Sequence, residues 1–532
     1  MHARVMENTE QHPTSWDVVI VGGGSAGLSA ALTLSRAQRR VLVLDGAQPR
    51  NRFAGHMHGV LGHDGRSPLE LLEIGRREVA SYGGVVRPAA VSGLDLRGED
   101  GLFRVHTDGG TLAARAVLVA TGLVDELPAV PGLTERWGRD VNACPYCHGA
   151  EVAGRPLGVV ATSAMGVHHA TMLRQWSPDV TFFSHLAGDL DAETLAGFAA
   201  RGVRVVTEPV AEVVVTDDAV RAVVAGGRHY PVEAIFTGST MRPLDALLVG
   251  AGAETVEAPQ GFTVVQAVMG RTSVPGLYAA GNVVNPAATV PVAIAEGFQA
   301  GVMINSELLE LDVAEARALA VDRERRWEER YGESAGPQWT GHVNASLGDV
   351  AAAWEPGAAL DLGAGEGGDA LWLAGRGWEV TAVDISATAL ERGRAAAQER
   401  GVEGVTWVQG DLVAWQPQRT YDLVSAQFLQ DWEAFPREQV LRRAMGAVAR
   451  GGRLVLVSHA SMTPRVPPAD GEQGHHGPGH HAMPTLDEEL TTLGLPDHGW
   501  VVETAEVRRR EVVRDGETWD LGDNVVVARR LG

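Results

Sequence analysis

Residues 16–46 read WDVVIVGGGSAGLSAALTLSRAQRRVLVLDG. An apolar run of strand length meets three consecutive glycines, a stretch rich in alanine and leucine follows, and a second apolar run ends in Asp45. Gly22, Gly24 and Gly27 form G-x-G-x-x-G. Glycine at these places permits a tight turn, close approach of a pyrophosphate to the backbone, and close packing of helix on strand; a carboxylate ending the second strand can accept from ribose hydroxyls. Strand, turn, helix and acid in this order predict an α/β dinucleotide-binding fold at residues 15–122.

The same grammar recurs at residues 358–386, AALDLGAGEGGDALWLAGRGWEVTAVDIS, with Asp361, Gly363, Gly365 and Gly367 around the turn and Asp384 after the next strand. Farther on, VTWVQGDL carries Asp411, and YDLVSAQFLQ and GGRLVLVSHA have the spacing of two more strands. The chain therefore predicts two nucleotide-type folds. Its 532 residues leave room for three or four domains of about 150 residues each.

Composition narrows the chemistry. A net charge of -22 and a pI near 5.3 argue against nucleic acid or an anionic membrane as the main partner. Residues 1–16 lack the apolar core of a signal peptide, and no apolar run approaches the ~18 residues of a membrane span, so a cytoplasmic protein is expected. All 45 basic residues are arginine, which removes Schiff-base lysine chemistry and the lysine of a Walker P-loop.

Only two cysteines occur, Cys144 and Cys147, in VNACPYCHGA (residues 141–150). A structural zinc site would need a second ligand pair, and no other C-x-x-C exists. A disulfide closing so short a loop removes little entropy from the unfolded chain. A redox dithiol remains, and it needs an electron partner.

Two further segments supply one. ARAVLVATGL (residues 114–123, with Thr121 and Gly122) and VPGLYAAGNVVNPAATVPVAIAEGFQAG (residues 274–301, with Gly281 and Asn282) resemble the segments that bracket the FAD domain in low-molecular-weight thioredoxin reductases. The resemblance spans roughly residues 15–310. It implies bound FAD, an inserted NAD(P)-like domain at residues 123–245 carrying the C-x-x-C, and a second FAD segment at residues 246–310. It also implies that Cys147 faces the flavin while Cys144 exchanges with substrate, and that a homodimer forms through this half. His148 stands where these reductases usually carry an aspartate; a histidine there can take a proton from an incoming thiol.

The inserted domain departs from the reductase pattern. After RPLGVV a second glycine turn is expected, but Ala161 and Ser163 occupy its first two glycine places, and the next strand ends in Ser184, His185 and Leu186 rather than in a basic cluster for a 2'-phosphate. Asn282 replaces an aspartate of the closing FAD motif, and Thr289 and Val290 replace a common Arg-Gln pair. A reductase fold with C-P-Y-C-H and a damaged nicotinamide site resembles the flavin-dependent dithiol oxidases of the gliotoxin and holomycin type. The implied reaction is oxidation of a small dithiol to a disulfide with molecular oxygen as acceptor; an NAD(P)H-dependent reductase is the alternative.

Residues 311–337 are charged with helical apolar spacing and read as a solvated helical linker. Residues 338–532 resemble a class I S-adenosylmethionine methyltransferase, through D-L-G-A-G-E-G and through WTGHVNASL, which is similar to the lid of small-molecule methyltransferases. The resemblance places Asp384 on the ribose hydroxyls and Asp411 on the adenine amine. For the methyl acceptor the candidates are Trp339, Gln427, Asp431, Trp432 and His459. His475, His476, His480 and His481 fall in a Gly/Pro-rich stretch read as a loop, and no metal site is expected there. Fusion of the two halves suggests a shared sulfur substrate, with S-methylation of a thiol as the second activity; an oxygen, nitrogen or metalloid acceptor is the alternative.

Overall fold

Trp16–Val21 is buried along its whole length at the middle of a parallel sheet. In this computed structural model, which describes residues 15–258, 262–333, 336–430, 435–464, 483–496, 499–514 and 517–532, the sheet runs Val85–Pro88, Val41–Asp45, Trp16–Val21, Gly110–Val119, Phe103–Thr107, Val91–Asp95. The first four strands are parallel and the last two antiparallel, while Leu277–Ala279 joins parallel to Gly110–Val119. Such strands are covered on both faces, which is why they read as unbroken apolar runs. The helix Ser25–Arg36 presses Ala26, Ala30, Ala31 and Leu34 onto Val18 and Ile20. Each fully buried Leu or Ile here contributes about 1.5–3 kcal/mol, so the turn between strand and helix is held from both sides.

The chain leaves this sheet through Leu123–Glu126 and returns through Thr240–Pro243, which pair antiparallel as a two-stranded ribbon. Between them lies a parallel sheet ordered Val203–Val206, Val180–Phe183, Leu157–Val160, Ala234–Thr237, Val141–Asn142. A three-stranded antiparallel sheet, Val210–Thr216, Ala219–Ala225 and Arg228–Pro231, packs beside it. The cysteine pair follows the edge strand Val141–Asn142.

The chain folds as two compact units, Met1–Asp312 and Val313–Gly532, and the boundary between them falls inside the 43-residue helix Val290–Gly332. The segment expected to be a solvated linker is not solvated throughout. Arg323 is 6% exposed and Tyr331 3%, and both pack within the second unit.

That unit is built on a seven-stranded sheet ordered Val405–Gln409, Glu379–Asp384, Ala358–Leu362, Tyr421–Gln427, Val448–Pro464, Glu517–Arg530, Trp500–Arg514. All neighbours are parallel up to Val448–Pro464; Glu517–Arg530 then runs antiparallel to both strands beside it. Leu360, Leu362, Val424, Leu454, Leu456 and Val526 form one face of its core. No helix among the described residues is long and apolar enough to cross a membrane. Asp431, Trp432, His475, His476, His480 and His481 lie outside the described residues.

Candidate active sites

In the first unit a cleft of about 1440 Å3 runs from the first glycine turn to the cysteine pair. Gly22 has φ +113°, and a Cβ on it would lie 2.3 Å from Ala120 O. A Cβ on Gly27 would lie 1.9 Å from Gly22 O, whereas one on Gly24 would meet nothing within 4 Å. Gly22 and Gly27 are therefore required by backbone packing, and Gly24 leaves the cleft open where a pyrophosphate must approach. This geometry fits an FAD cradle.

Asp45 lines the cleft, where Oδ1 accepts from Ala47 N (2.8 Å) and Oδ2 from Arg76 Nη2 (2.8 Å). Thr121 Oγ1 donates to Leu244 O (2.7 Å), fastening the mouth of the ribbon, and Gly122 turns at φ +76°. Gly281 turns at φ +79° with its N–H on Glu296. Asn282 does something an aspartate could not. Its Nδ2 donates to the carbonyls of Asn285 (3.1 Å), Pro286 (3.3 Å) and Ala288 (2.9 Å), so the amide organises the closing loop and only its oxygen is left to receive a ligand's donor.

The two thiols face the same cleft with Sγ atoms 2.7 Å apart. Cys144 stands immediately before the short helix Pro145–His148. The Cys147 thiol donating to it, helped by the N–H groups of Cys147 and Tyr146, outweighs burial and brings the Cys144 thiol down to about 6. The neighbouring Cys144 thiolate and burial push Cys147 up, with Arg50 opposing. The pair is thus polarised: Cys144 is the anion and Cys147 holds the proton. Burial also lowers His148 below its ordinary value, against a smaller opposing pull from Glu151, so its imidazole is a neutral base at pH 7.

Two residues around the dithiol were not legible in the sequence. Arg50 forms a bidentate pair with Asp125 (2.7 and 2.8 Å) and donates to Pro286 O (3.0 Å), tying the ribbon to the closing loop. His58 sets Nε2 3.1 Å from Glu151 and Nδ1 3.4 Å from Asp64.

The inserted domain retains one part of its glycine motif. Ala161 is buried, and a Cβ on Gly166 would come 2.5 Å from the Cβ of Ala161, so the third glycine still serves helix-to-strand packing. At the end of Val180–Phe183 the residues Ser184, His185 and Leu186 offer no fixed cation for a phosphate. Ser184 Oγ donates to Thr207 O (3.4 Å), His185 Nδ1 accepts from Val210 N (3.3 Å), and burial lowers the His185 pKa.

In the second unit the glycine turn closes around a buried acid. Gly363, Gly365 and Gly367 have φ of +70°, +53° and +80°. A Cβ on Gly367 would lie 2.3 Å from the Trp407 ring, and one on Gly365 would lie 2.9 Å from Tyr331 Oη. Asp384 accepts from Gly365 N (2.8 Å) and Ser386 N (2.9 Å), so it shapes the loop. Asp411 accepts from Arg323 Nη1 (2.6 Å) and Val413 N (3.0 Å), and Glu328 accepts from the N–H groups of Ala387 and Thr388. Tyr331 Oη receives Trp339 Nε1 (3.0 Å), which places Trp339 beside the glycine turn at Gly365.

Asp361, 2% exposed, keeps Oδ2 without a hydrogen-bond partner among the described residues. An orphaned buried carboxylate beside a glycine turn fits a cationic ligand such as S-adenosylmethionine. Burial, with the charges of Asp369 and Asp384, pushes Asp361 well above the usual carboxylate range, and burial raises Asp369 to about 6. Groups whose pKa is raised in the folded state bind more protons there than when unfolded, so stability falls as pH rises from about 4 through 6. Asp361→Asn should therefore raise the melting temperature of the unliganded protein's second unit at pH 7 by several degrees, with the gain shrinking at pH 4.5. Calorimetric scans at the two pH values check this.

At the end of Tyr421–Gln427, the strand beside Ala358–Leu362, Gln427 Nε2 donates to Ser425 Oγ (2.8 Å) while its Oε1 has no partner among the described residues. His459 Nδ1 lies 3.0 Å from Asp523 Oδ1, and Arg510 Nε donates to Asp523 Oδ2 (2.6 Å).

Comparison with known proteins agrees with both folds. Residues 359–452 match the model for a methyltransferase domain. The first unit is similar to thioredoxin reductase tcpT of Claviceps purpurea (28% identity, covering 55% of this chain and 94% of that protein). It is also similar to thioredoxin reductase sirT of Leptosphaeria maculans (29%, covering 57% and 97%). Among solved structures, HlmI is 42% identical with a TM-score of 0.56, covering 59% of this chain and 99% of its own. An oxidoreductase from Agrobacterium tumefaciens is 38% identical with a TM-score of 0.52, covering 56% and 99%. The match to the model for pyridine nucleotide-disulphide oxidoreductases runs over residues 16–297, more than half the chain, and with the paired thiols on an FAD cleft it makes this protein a member of that family, carrying a methyltransferase domain that uses S-adenosylmethionine.

Proposed function

We propose that the first unit oxidises a small-molecule dithiol to a disulfide with molecular oxygen as final acceptor, and that the second methylates a thiol. The observation that carries the first half is the inserted domain's nucleotide turn, where Ala161 and Ser163 replace glycines and the following strand ends without a fixed cation for a 2'-phosphate, beside a complete dithiol site. Electrons then enter from thiols and not from NADPH.

The chain's residues support each step. In the oxidised enzyme Cys144 and Cys147 are joined. A substrate thiolate attacks Cys144 Sγ, Cys147 leaves, and the second substrate thiol displaces Cys144 as the ring closes. Cys144, whose thiol is brought down to about 6, is a good leaving group for that second displacement, and neutral His148 takes the proton of the entering thiol. Bound FAD would supply the two-electron acceptor through which Cys147 returns to the disulfide with Cys144, and a donor to oxygen. The sum is dithiol plus oxygen to disulfide plus hydrogen peroxide.

Both activities mask a reactive dithiol, one as a ring disulfide and the other as thioethers, which suits tailoring or self-protection in sulfur natural-product biosynthesis. We assign the active form as a homodimer through the first unit, on the family resemblance. The test is anaerobic reduction of the flavin-bound protein followed by absorbance. Dithiothreitol should bleach the flavin and air should restore it, while NADPH should leave it oxidised over the same period. Rapid bleaching by NADPH would return the first unit to the reductases.

A further inference from the structure

Phe428 N donates to Val457 O (2.8 Å), the last backbone tie between Tyr421–Gln427 and Val448–Pro464, which runs on past it beside Glu517–Arg530. His459, two residues on, therefore stands at the edge of the sheet where Ala358–Leu362 delivers the glycine turn. Leu429, next after Phe428 in the chain, lies against that turn, its Cδ1 3.0 Å from where a Cβ on Gly363 would be. Phe428, forced to φ +53°, stacks its ring on the His459 imidazole with centroids 4.3 Å apart and planes 24° from parallel. Gln430 Oε1 holds the His459 N–H at 2.9 Å. The imidazole is fixed by a ring face, a backbone bond and a carboxylate.

That carboxylate determines what the ring can do. Asp523 is 4% exposed, with one oxygen on His459 Nδ1 and the other on Arg510 Nε. Burial raises the Asp523 pKa, but the hydrogen bonds from His459 and Arg510 outweigh it and hold the carboxyl below its ordinary value, so the aspartate accepts the Nδ1 proton's hydrogen bond without taking the proton. The tautomer this selects carries its lone pair on Nε2.

We infer that His459 is the base for methyl transfer, with Asp523 and Arg510 as positioning residues. This rests on the reading that the second unit methylates a thiol. It narrows the acceptor to thiols that arrive protonated. An alkyl thiol is largely un-ionised at neutral pH. As the sulfur–methyl bond to the acceptor forms and the sulfonium–methyl bond breaks, the thiol proton passes to His459 Nε2 and then to solvent. The products are a thioether, S-adenosylhomocysteine and one proton.

The test compares His459→Gln with the native full-length protein on two acceptors at pH 7, 2-mercaptoethanol, which is protonated, and 4-nitrothiophenol, which is ionised. The variant should lose about 100-fold in kcat on 2-mercaptoethanol and stay within about threefold on 4-nitrothiophenol. Equal losses on both, or no loss on 2-mercaptoethanol, would overturn the assignment. A second readout does not depend on turnover. Diethyl pyrocarbonate should label His459, and S-adenosylhomocysteine should protect it while leaving exposed His229 labelled; absence of protection would place His459 away from the donor and overturn the proposal. If the native protein methylates neither thiol, the thiol reading falls by itself, and the same comparison with phenol and 4-nitrophenol then decides the base.

Discussion

Replacing Cys144 with serine should abolish dithiol-dependent oxygen uptake, a loss of at least ~10³-fold, and Cys147→Ser should do the same. A hydroxyl cannot form the mixed disulfide, and neither sulfur can substitute for the other because their environments have polarised them in opposite directions. The two variants differ in what they trap. Cys147→Ser leaves Cys144 able to attack the disulfide of a monothiol, releasing one thiol and keeping the other as a mixed disulfide that neither Cys147 nor a second substrate thiol can displace. Intact-protein mass spectrometry after incubation with 2-hydroxyethyl disulfide should then show adducts on Cys147→Ser and far fewer on Cys144→Ser. The reverse pattern would exchange the roles of the two thiols. Methyl transfer should be unchanged in both, because no residue of the second site is altered.

Gly27→Ala should yield protein without flavin. The added Cβ would meet Gly22 O at 1.9 Å, and backbone on backbone has no rotamer by which to escape. Either the helix Ser25–Arg36 lifts from the sheet or the turn Gly22–Gly24 opens; both destroy the pyrophosphate cradle, at a cost of about 3 kcal/mol in the first unit. Purified Gly27→Ala should lack visible flavin absorbance and dithiol oxidation while retaining methyl transfer. Gly24→Ala is the control. Its Cβ meets no protein atom, so the unit should fold with undiminished melting temperature and lose only affinity for the cofactor. Flavin retained by Gly27→Ala at native stoichiometry would mean the cradle lies elsewhere.

What the sequence disclosed follows from distance along the chain. The two glycine turns, their acids and the C-x-x-C are local patterns, and the strands around them are buried on both faces, so periodicity and composition report them directly. Arg50 and His58 escape such reading because their partners lie far away in sequence, as with Arg50 and Asp125, and they sit on a loop without period. Arg323, Trp327 and Tyr331 recur every four residues on a helix otherwise dense in ion pairs such as Arg325 with Glu329. That spacing is the sign of a buried stripe, obscured by the surrounding charge. Asn282 is legible only in part: its place in the closing motif points to the cleft, but the three carbonyls of its own loop that take its Nδ2 are contacts no motif announces.

The contact between Gly166 and Ala161 separates two duties within one glycine motif. The first two places of such a turn serve a visiting molecule, because they make the tight bend and let a pyrophosphate approach the backbone. The third serves the fold, since a methyl group there would collide with Ala161 whether or not anything binds. A glycine at the third place therefore says nothing about a ligand, and only the first two places speak for one.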